Sequence, residues 1–351
     1  MHPNARLLSV ATANPPHRIS QHTAAAAAQQ MFGDRYELFE RMKPVFAAAG
    51  IAQRFSVRPI EWFLEPRGWS ERSAAYLEGG LDLFANVARK ALATADVRAD
   101  EIDCVVTVSS TGIATPSFEA RAMGVVGFRG DIERVPLFGL GCGGGTAGLA
   151  IAAKIARAAP GSTVLLVALE LCTLSFRLDE LTKANIIATA LFGDGAAACV
   201  LRSGAHGGVA EVQSSAQHTW PDTLDVMGWR VDPEGLGVIF AQAIPPFAEA
   251  HLGPAVDDML KRLDRARDDI DRFVCHPGGA KVVAALERAL AIEAGALDHE
   301  REVLAECGNM SSPTVLFVLE RLLRAGLPES SALLALGPGF SASCVLLGRT
   351  T

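Results

Sequence analysis

The stretch Pro136–Ala159, PLFGLGCGGGTAGLAIAAKIARAA, limits the possible folds more than any other part of the chain. A short apolar strand runs into a glycine turn and leaves it as a helix of small residues. Gly141, Gly143, Gly144 and Gly145 strip side chains from around one sulfur, that of Cys142, and allow the backbone angles of a sharp turn. At the start of a helix, unpaired amide N–H groups and the positive end of the dipole favour thiolate over thiol, and the thiolate is the nucleophile. Cys142 is therefore a candidate nucleophile, set against the plainer alternative of a small buried cysteine.

Half of the 351 residues are hydrophobic and a fifth are charged, enough for a sizeable core and too apolar for a disordered chain. The net charge of −7 argues against a general nucleic-acid binder, whose footprint is a basic surface. The opening MHPNARLLSVATANPP lacks a charged segment followed by a long apolar run, so no signal peptide is expected. VLLVALELC is too short to span a membrane. The seven cysteines, at 104, 142, 172, 199, 275, 307 and 344, lie far apart without a CxxC pair or a Cys/His cluster. Neither a metal nor a disulfide framework is expected, and the protein is placed in the cytoplasm with reduced thiols.

Arg6–Ala11 reads as a buried strand, Gln21–Met31 as an alanine-rich helix, Tyr36–Ala49 as further helix and Gln53–Val57 as a strand. An aromatic loop over Pro59–Trp69 leads to a helix over Ser70–Ala93. Asp103–Ser109 and Thr163–Leu169 are continuous apolar runs, the pattern of strands covered on both faces, and the Cys142 helix lies between them. Alternating strand, helix and strand indicate a layered α/β protein.

The later half repeats this order: strand Arg272–Cys275, a strongly apolar helix Ser312–Arg324, and strand Ala332–Leu336. Each half ends in a glycine pair and a strand, GDGAAACVL from Gly193 and GPGFSASCVLL from Gly337. Cys142 follows Cys104 at nearly the distance at which Asn309 follows Phe273, which points to a diverged internal duplication. With the halves face to face, the starts of their central helices meet. His276, at the end of a strand in HPGG, and Asn309, in GNMSS, then join Cys142. A structural histidine and a helix N-cap are the plainer roles of the two. Together the three form a Cys/His/Asn set able to activate a thiol.

On GCGGGTAGLA around Cys142, ALFGDGAAA at Ala190–Ala198, CHPGG at Cys275–Gly279, GNMSS at Gly308–Ser312 and GPG at Gly337–Gly339, the chain resembles the type III polyketide synthases. These are the chalcone and stilbene synthase family of the thiolase-like superfamily. The stretches ELCTLSF, MGWRVDPEGLG and EWFLEPRGW are more similar to bacterial members. The resemblance implies a thiolase-like layered αβαβα fold of two duplicated halves, 1–215 with the cysteine and 216–351 with the histidine and asparagine. It also implies a homodimer that uses CoA thioesters as substrates and needs no cofactor. Cys142 would take a starter acyl group from an acyl-CoA, with His276 holding the sulfur as thiolate in an ion pair. His276 and Asn309 would stabilise the enolate formed when malonyl-CoA loses CO2.

The resemblance further implies a gatekeeper role for Phe192 and a cavity lined by Ser110, Thr115, Cys172, Ser175, Gly228, Val238 and Ser311. Thr115 and Val238 are smaller than the family's usual residues, leaving room for a long alkyl starter and an alkylpyrone or alkylresorcinol product. Arg41, Lys43 and Lys281 are the candidates for the CoA phosphates, fewer basic residues than plant members carry. The alternatives are a ketoacyl synthase III-like condensing enzyme, which lacks GNMSS, and a non-catalytic partner subunit, against which the intact Cys/His/Asn set speaks.

Overall fold

Strand Thr163–Leu171 shows how the layers arise. It is buried at every position, and its side chains alternate between faces. Leu165, Val167, Leu169 and Leu171 enter one hydrophobic cluster, whereas Val164, Leu166 and Ala168 enter another. In the computed structural model, which describes residues 4–204, 207–241 and 243–350, this strand belongs to a nine-stranded sheet. The spatial order is Arg272–Cys275, Ser330–Gly337, Ser341–Gly348, Ala210–Thr219, Ala5–Ala13, Asp194–Ser203, Thr163–Leu171, Cys104–Val108 and Glu133–Leu137. Pro136, which has no N–H for a ladder, lies on that last, edge strand.

Only Ala5–Leu7 pairs with Ala210–Val212 to join the two halves of this sheet. Helices Gly144–Ala158 and Thr314–Ala325 lie between the halves and share one core with both. Helix Trp69–Ala95 covers the outer face of the N-terminal half. Helices Ile244–Arg262 and Ala280–Leu290 cover the outer face of the other. The expected αβαβα layering results, with the middle layer made of the two central helices.

The halves repeat in topology as well as in pattern. Cys104–Val108 runs parallel to Thr163–Leu171, which is antiparallel to Asp194–Ser203, itself antiparallel to Ala5–Ala13. Arg272–Cys275, Ser330–Gly337, Ser341–Gly348 and Ala210–Thr219 follow the same scheme. Residue 215 falls inside Ala210–Thr219, the strand that completes the second half.

Several local expectations change. Tyr36–Ala49 holds two short helices, Phe39–Met42 and Pro44–Ala48, because Pro44 opens the second. The aromatic loop contains a 3-10 turn at Ile60–Leu64. Ala210–Thr219 and the ribbon Met227–Asp232 with Gly235–Phe240 did not stand out in sequence, since their faces are mixed and partly exposed. Among the described residues no helix is long and apolar enough to cross a membrane.

Candidate active site

The Cys142 turn is shaped by close approach. A Cβ on Gly141, whose φ is +45°, would lie 2.7 Å from the Pro338 ring. One on Gly145 would lie 2.2 Å from the carbonyl oxygen of Ser312. The glycines thus let the turns of the two halves close on one another. Cys142 sits in the 3-10 turn Gly141–Gly143, immediately before the central helix, and is 8% exposed.

Asn309 is fixed on three sides. Its Oδ1 accepts from the Ser311 N–H at 2.8 Å, and its Nδ2 donates to the Gly278 carbonyl at 3.1 Å. Its backbone forms a short parallel bridge with Phe192, through Asn309 N–H to Leu191 O and Gly193 N–H to Asn309 O. The helix that follows begins only at Thr314, so Asn309 is not its N-cap. An amide nitrogen carries two hydrogens, and the one not given to Gly278 is free to face Cys142. Ser311, expected to line the cavity, reaches the Cys142 sulfur, as does Asn309. It does so from a left-handed backbone conformation with φ of 60°, which costs a non-glycine residue about 1–2 kcal/mol.

His276 follows strand Arg272–Cys275 and is held by its backbone N–H to Leu334 O at 2.9 Å. Both ring nitrogens are buried with no partner among the described residues. Such orphaned groups call for an explanation, and a substrate placed beside Cys142 supplies one. Cys142, His276 and Asn309 line a single narrow cavity, together with Met227, Phe240 and Leu336.

Desolvation acts against one expectation. Burial pushes the Cys142 thiol up to about 11, and the carboxylate of Glu170 adds to this, while hydrogen bonds from Ser311 and Asn309 work the other way. Burial lowers His276 to about 4. Desolvation thus disfavours the charged forms of both Cys142 and His276 and works against the expected ion pair, outweighing the dipole of one helix end. The folded state resists protonating His276, whereas an unfolded histidine binds a proton below 6.5. Stability held above that pH is lost as the pH falls through 6.5 toward 4. Compared with His276→Gln, the wild type should lose about 3 kcal/mol of relative stability over this window. Urea denaturation of both proteins at pH 7 and pH 4 measures it, and a constant difference would refute it.

Glu170 was not singled out in sequence. Its signal is a lone carboxylate ending an otherwise apolar strand. It accepts the Ser110 N–H at 2.9 Å and the Thr111 hydroxyl at 2.8 Å on one oxygen, and the Ser312 hydroxyl at 3.0 Å on the other. Burial raises it to about 7.

A larger cleft of about 1270 Å³, counted with its open mouth, leads inward. It shares Phe240, Gly278 and Val282 with the Cys142 cavity and carries Arg41 and Lys281 at its walls. Lys43 is not on it and lies 3.8 Å from Glu40. Phe192 packs edge-on against Phe240 and Trp229, with ring centres 6.3 and 6.4 Å away, beside the junction of cleft and cavity. The other expected lining residues are not brought to Cys142. Thr115 borders a surface groove with Tyr76, Phe118 and Phe138. Val238 is buried in the N-terminal core. Ser175 lines a separate pocket. Ser110 and Cys172 are buried in the wall around Glu170. Gly228 borders open space.

Duplicated halves with a cysteine at one inner helix, and a histidine and an asparagine at the matching ends of the other half, define a thiolase-like condensing enzyme. Models of the chalcone and stilbene synthases match almost the whole chain, the N-terminal domain at residues 2–205 and the C-terminal domain at 211–350. The chain belongs to this family, the type III polyketide synthases, which are acyltransferases. It is 38% identical to the 1,3,6,8-tetrahydroxynaphthalene synthase of Streptomyces peucetius subsp. caesius over 97% of this chain and 92% of that one. To a putative chalcone synthase of Bacillus subtilis it is 35% identical, over 97% and 98% of the two chains. The crystal structure of the tetrahydroxynaphthalene synthase of Streptomyces coelicolor superposes with a TM-score of 0.93 over 99% of both chains, at 28% identity.

Proposed function

We propose that this enzyme loads an acyl group from a CoA thioester onto Cys142, extends it with malonyl-CoA and cyclises the resulting poly-β-keto chain. The supporting observation is a single cavity that holds one thiol and two orphaned or half-free hydrogen-bonding side chains, reached from a cleft with Arg41 and Lys281 on its walls. The neutral imidazole of His276 accepts the Cys142 proton as the sulfur attacks the thioester carbonyl, and passes it to the departing CoA thiolate. Malonyl-CoA then binds with its thioester oxygen facing the donors of His276 and Asn309. Loss of CO2 leaves an enolate on that oxygen, which these donors stabilise. Its carbon attacks the acyl-Cys142 carbonyl, the C–S bond breaks with Cys142 leaving as thiolate, and the chain passes to CoA; the thiolate either attacks the next thioester or takes a proton from solvent. No step needs a metal or a redox cofactor.

Arg41 and Lys281 face the phosphates of CoA in this scheme. Each exposed charge pair contributes about 1 kcal/mol or less, so Arg41→Ala or Lys281→Ala should raise KM for malonyl-CoA up to about fivefold with kcat kept, while Lys43→Ala changes neither. A lowered kcat with unchanged KM would remove them from the CoA site. A homodimer is supported by the exposed Ile113 and Phe138 along the Thr115 groove, apolar surface that a second copy would cover, and light scattering reads the mass directly.

Among the similar proteins are enzymes named for tetrahydroxynaphthalene and for α-pyrone synthesis, and we place the product among such small pyrones and aromatics. Mass spectrometry of products formed from malonyl-CoA alone and with a range of acyl-CoA starters tests the proposal. No condensation product with any starter would overturn it.

A further inference from the structure

The ring of His276 has no hydrogen bond among the described residues to orient it. A functional histidine is commonly oriented by a bond to its second ring nitrogen, so here the backbone must set the direction. Strand Arg272–Cys275, which carries His276 at its end, lies at one edge of the sheet beside Ser330–Gly337. The His276 N–H crosses to Leu334 O at 2.9 Å. Successive amides of a strand point to opposite sides, so the Cys275 N–H faces the open edge, where such groups are left unpaired.

Glu300 receives it. This residue lies in the first turn of helix Asp298–Cys307 and is fully buried. Its Oε1 accepts the Cys275 N–H at 2.9 Å, and its Oε2 pairs with Arg272 Nη2 at 2.7 Å. One side chain thus grips both ends of the short strand. Arg272 also meets Asp298 at 3.3 Å and the Ala296 carbonyl. Burial pushes the Glu300 carboxyl up, and the Arg272 charge and the Cys275 N–H oppose it. A pair buried this deeply adds little net stability, because desolvation offsets most of the attraction. What a close-packed apolar side chain could not do is accept the Cys275 amide.

The same helix leads into Asn309. It ends at Cys307, and the Gly308 N–H bonds to Leu304 O at 2.9 Å. On the other side, the His276 carbonyl accepts the Gly278 N–H at 3.1 Å, and the Gly278 carbonyl accepts from Asn309 Nδ2 at 3.1 Å. These contacts close a ring, from Glu300 through Cys275, His276 and Gly278 to Asn309 and back along the helix. Glu287, also buried, is a contrast: it takes the Gly295 and Leu297 N–H groups and Arg301, all outside this ring.

We propose that Glu300 is a positioning residue for the enolate site: by gripping strand Arg272–Cys275 it fixes His276 at the distance from Asn309 at which both donors reach one thioester oxygen. This rests on the proposed roles of His276 and Asn309. Glu300 acts through His276 and touches no substrate.

The test measures malonyl-CoA decarboxylation by Glu300→Ala and Glu300→Gln, with kcat expressed per Cys142 that can be acylated, so that unfolded protein is not counted. Glu300→Ala should lower kcat about ten- to a hundredfold, the size expected from a misplacement of about 1 Å. KM for malonyl-CoA should stay nearly unchanged, because Arg41 and Lys281 of the cleft are not part of the ring. Glu300→Gln keeps an acceptor for the Cys275 N–H and should retain most of the rate. Should Glu300→Ala fail to fold, Glu300→Asp takes its place. One methylene shorter, it keeps the charge opposite Arg272 but withdraws the acceptor, and it should be slower than Glu300→Gln. An ion pair that served stability alone would give the reverse order and overturn the proposal, as would an unchanged kcat in Glu300→Ala. A loss on top of His276→Ala as large as the loss in the wild type would overturn it as well, since a residue acting through His276 then has little left to act on. Wild-type protein that releases no CO2 and forms no acyl-Cys142 instead overturns the proposed function itself.

Discussion

Cys142→Ala is expected to abolish starter loading and polyketide formation while malonyl-CoA still loses CO2 at a reduced rate. The two activities separate because the groups divide the work. Only Cys142 can carry the acyl chain as a thioester, whereas the enolate oxygen is held by His276 and Asn309. Asn309 keeps its orientation through Gly278 and Ser311, contacts that do not involve the sulfur. Alanine at this position removes one buried sulfur from an already tight turn, so the fold should survive. Peptide mass spectrometry after incubation with an acyl-CoA should find the acyl group on Cys142. Finding it on Cys172 or Cys275 would refute the assignment; both are buried, and burial raises both thiols well above the usual range. Residual polyketide from Cys142→Ala would refute it equally.

His276→Ala and Asn309→Ala are expected to slow malonyl-CoA decarboxylation by roughly two to three orders of magnitude each, the usual cost of removing one donor to a developing oxyanion. The two should differ in loading. His276 is also the proton acceptor for Cys142, whose thiol is pushed up to about 11, so His276→Ala should slow acylation as well. Asn309→Ala, which removes one of the two hydrogen bonds that lower the Cys142 thiol and leaves the proton acceptor in place, should slow acylation far less. Release of CO2 and single-turnover acylation, measured on both variants, give the four rates. Asn309→Ala that decarboxylates normally but melts many degrees lower would make Asn309 a structural residue, tied to Leu191, Gly193 and Gly278.

How much of this was legible in the chain follows from the range over which each signal acts. A strand buried on both faces announces itself by an unbroken apolar run, as in Thr163–Leu171. A turn closed to side chains announces itself by its glycines. Both are local, so the α/β alternation, the duplication and the trio of Cys142, His276 and Asn309 stood in the sequence. Strand Ala210–Thr219, half exposed and rich in Ser and Gln, carried no such run, although it is the seam between the halves of the sheet.

The tertiary structure alone decided three things. It set how strongly burial acts on Cys142 and His276, because desolvation depends on what surrounds a group in space and not on its neighbours in the chain. It revealed Glu170 as the carboxylate beside the nucleophile, since the Ser110, Thr111 and Ser312 groups that hold it come from both halves. It also placed Thr115 on a surface groove and Val238 in the N-terminal core. Pocket walls are assembled from side chains of elements far apart in sequence, and which of them meet is fixed only when the layers close.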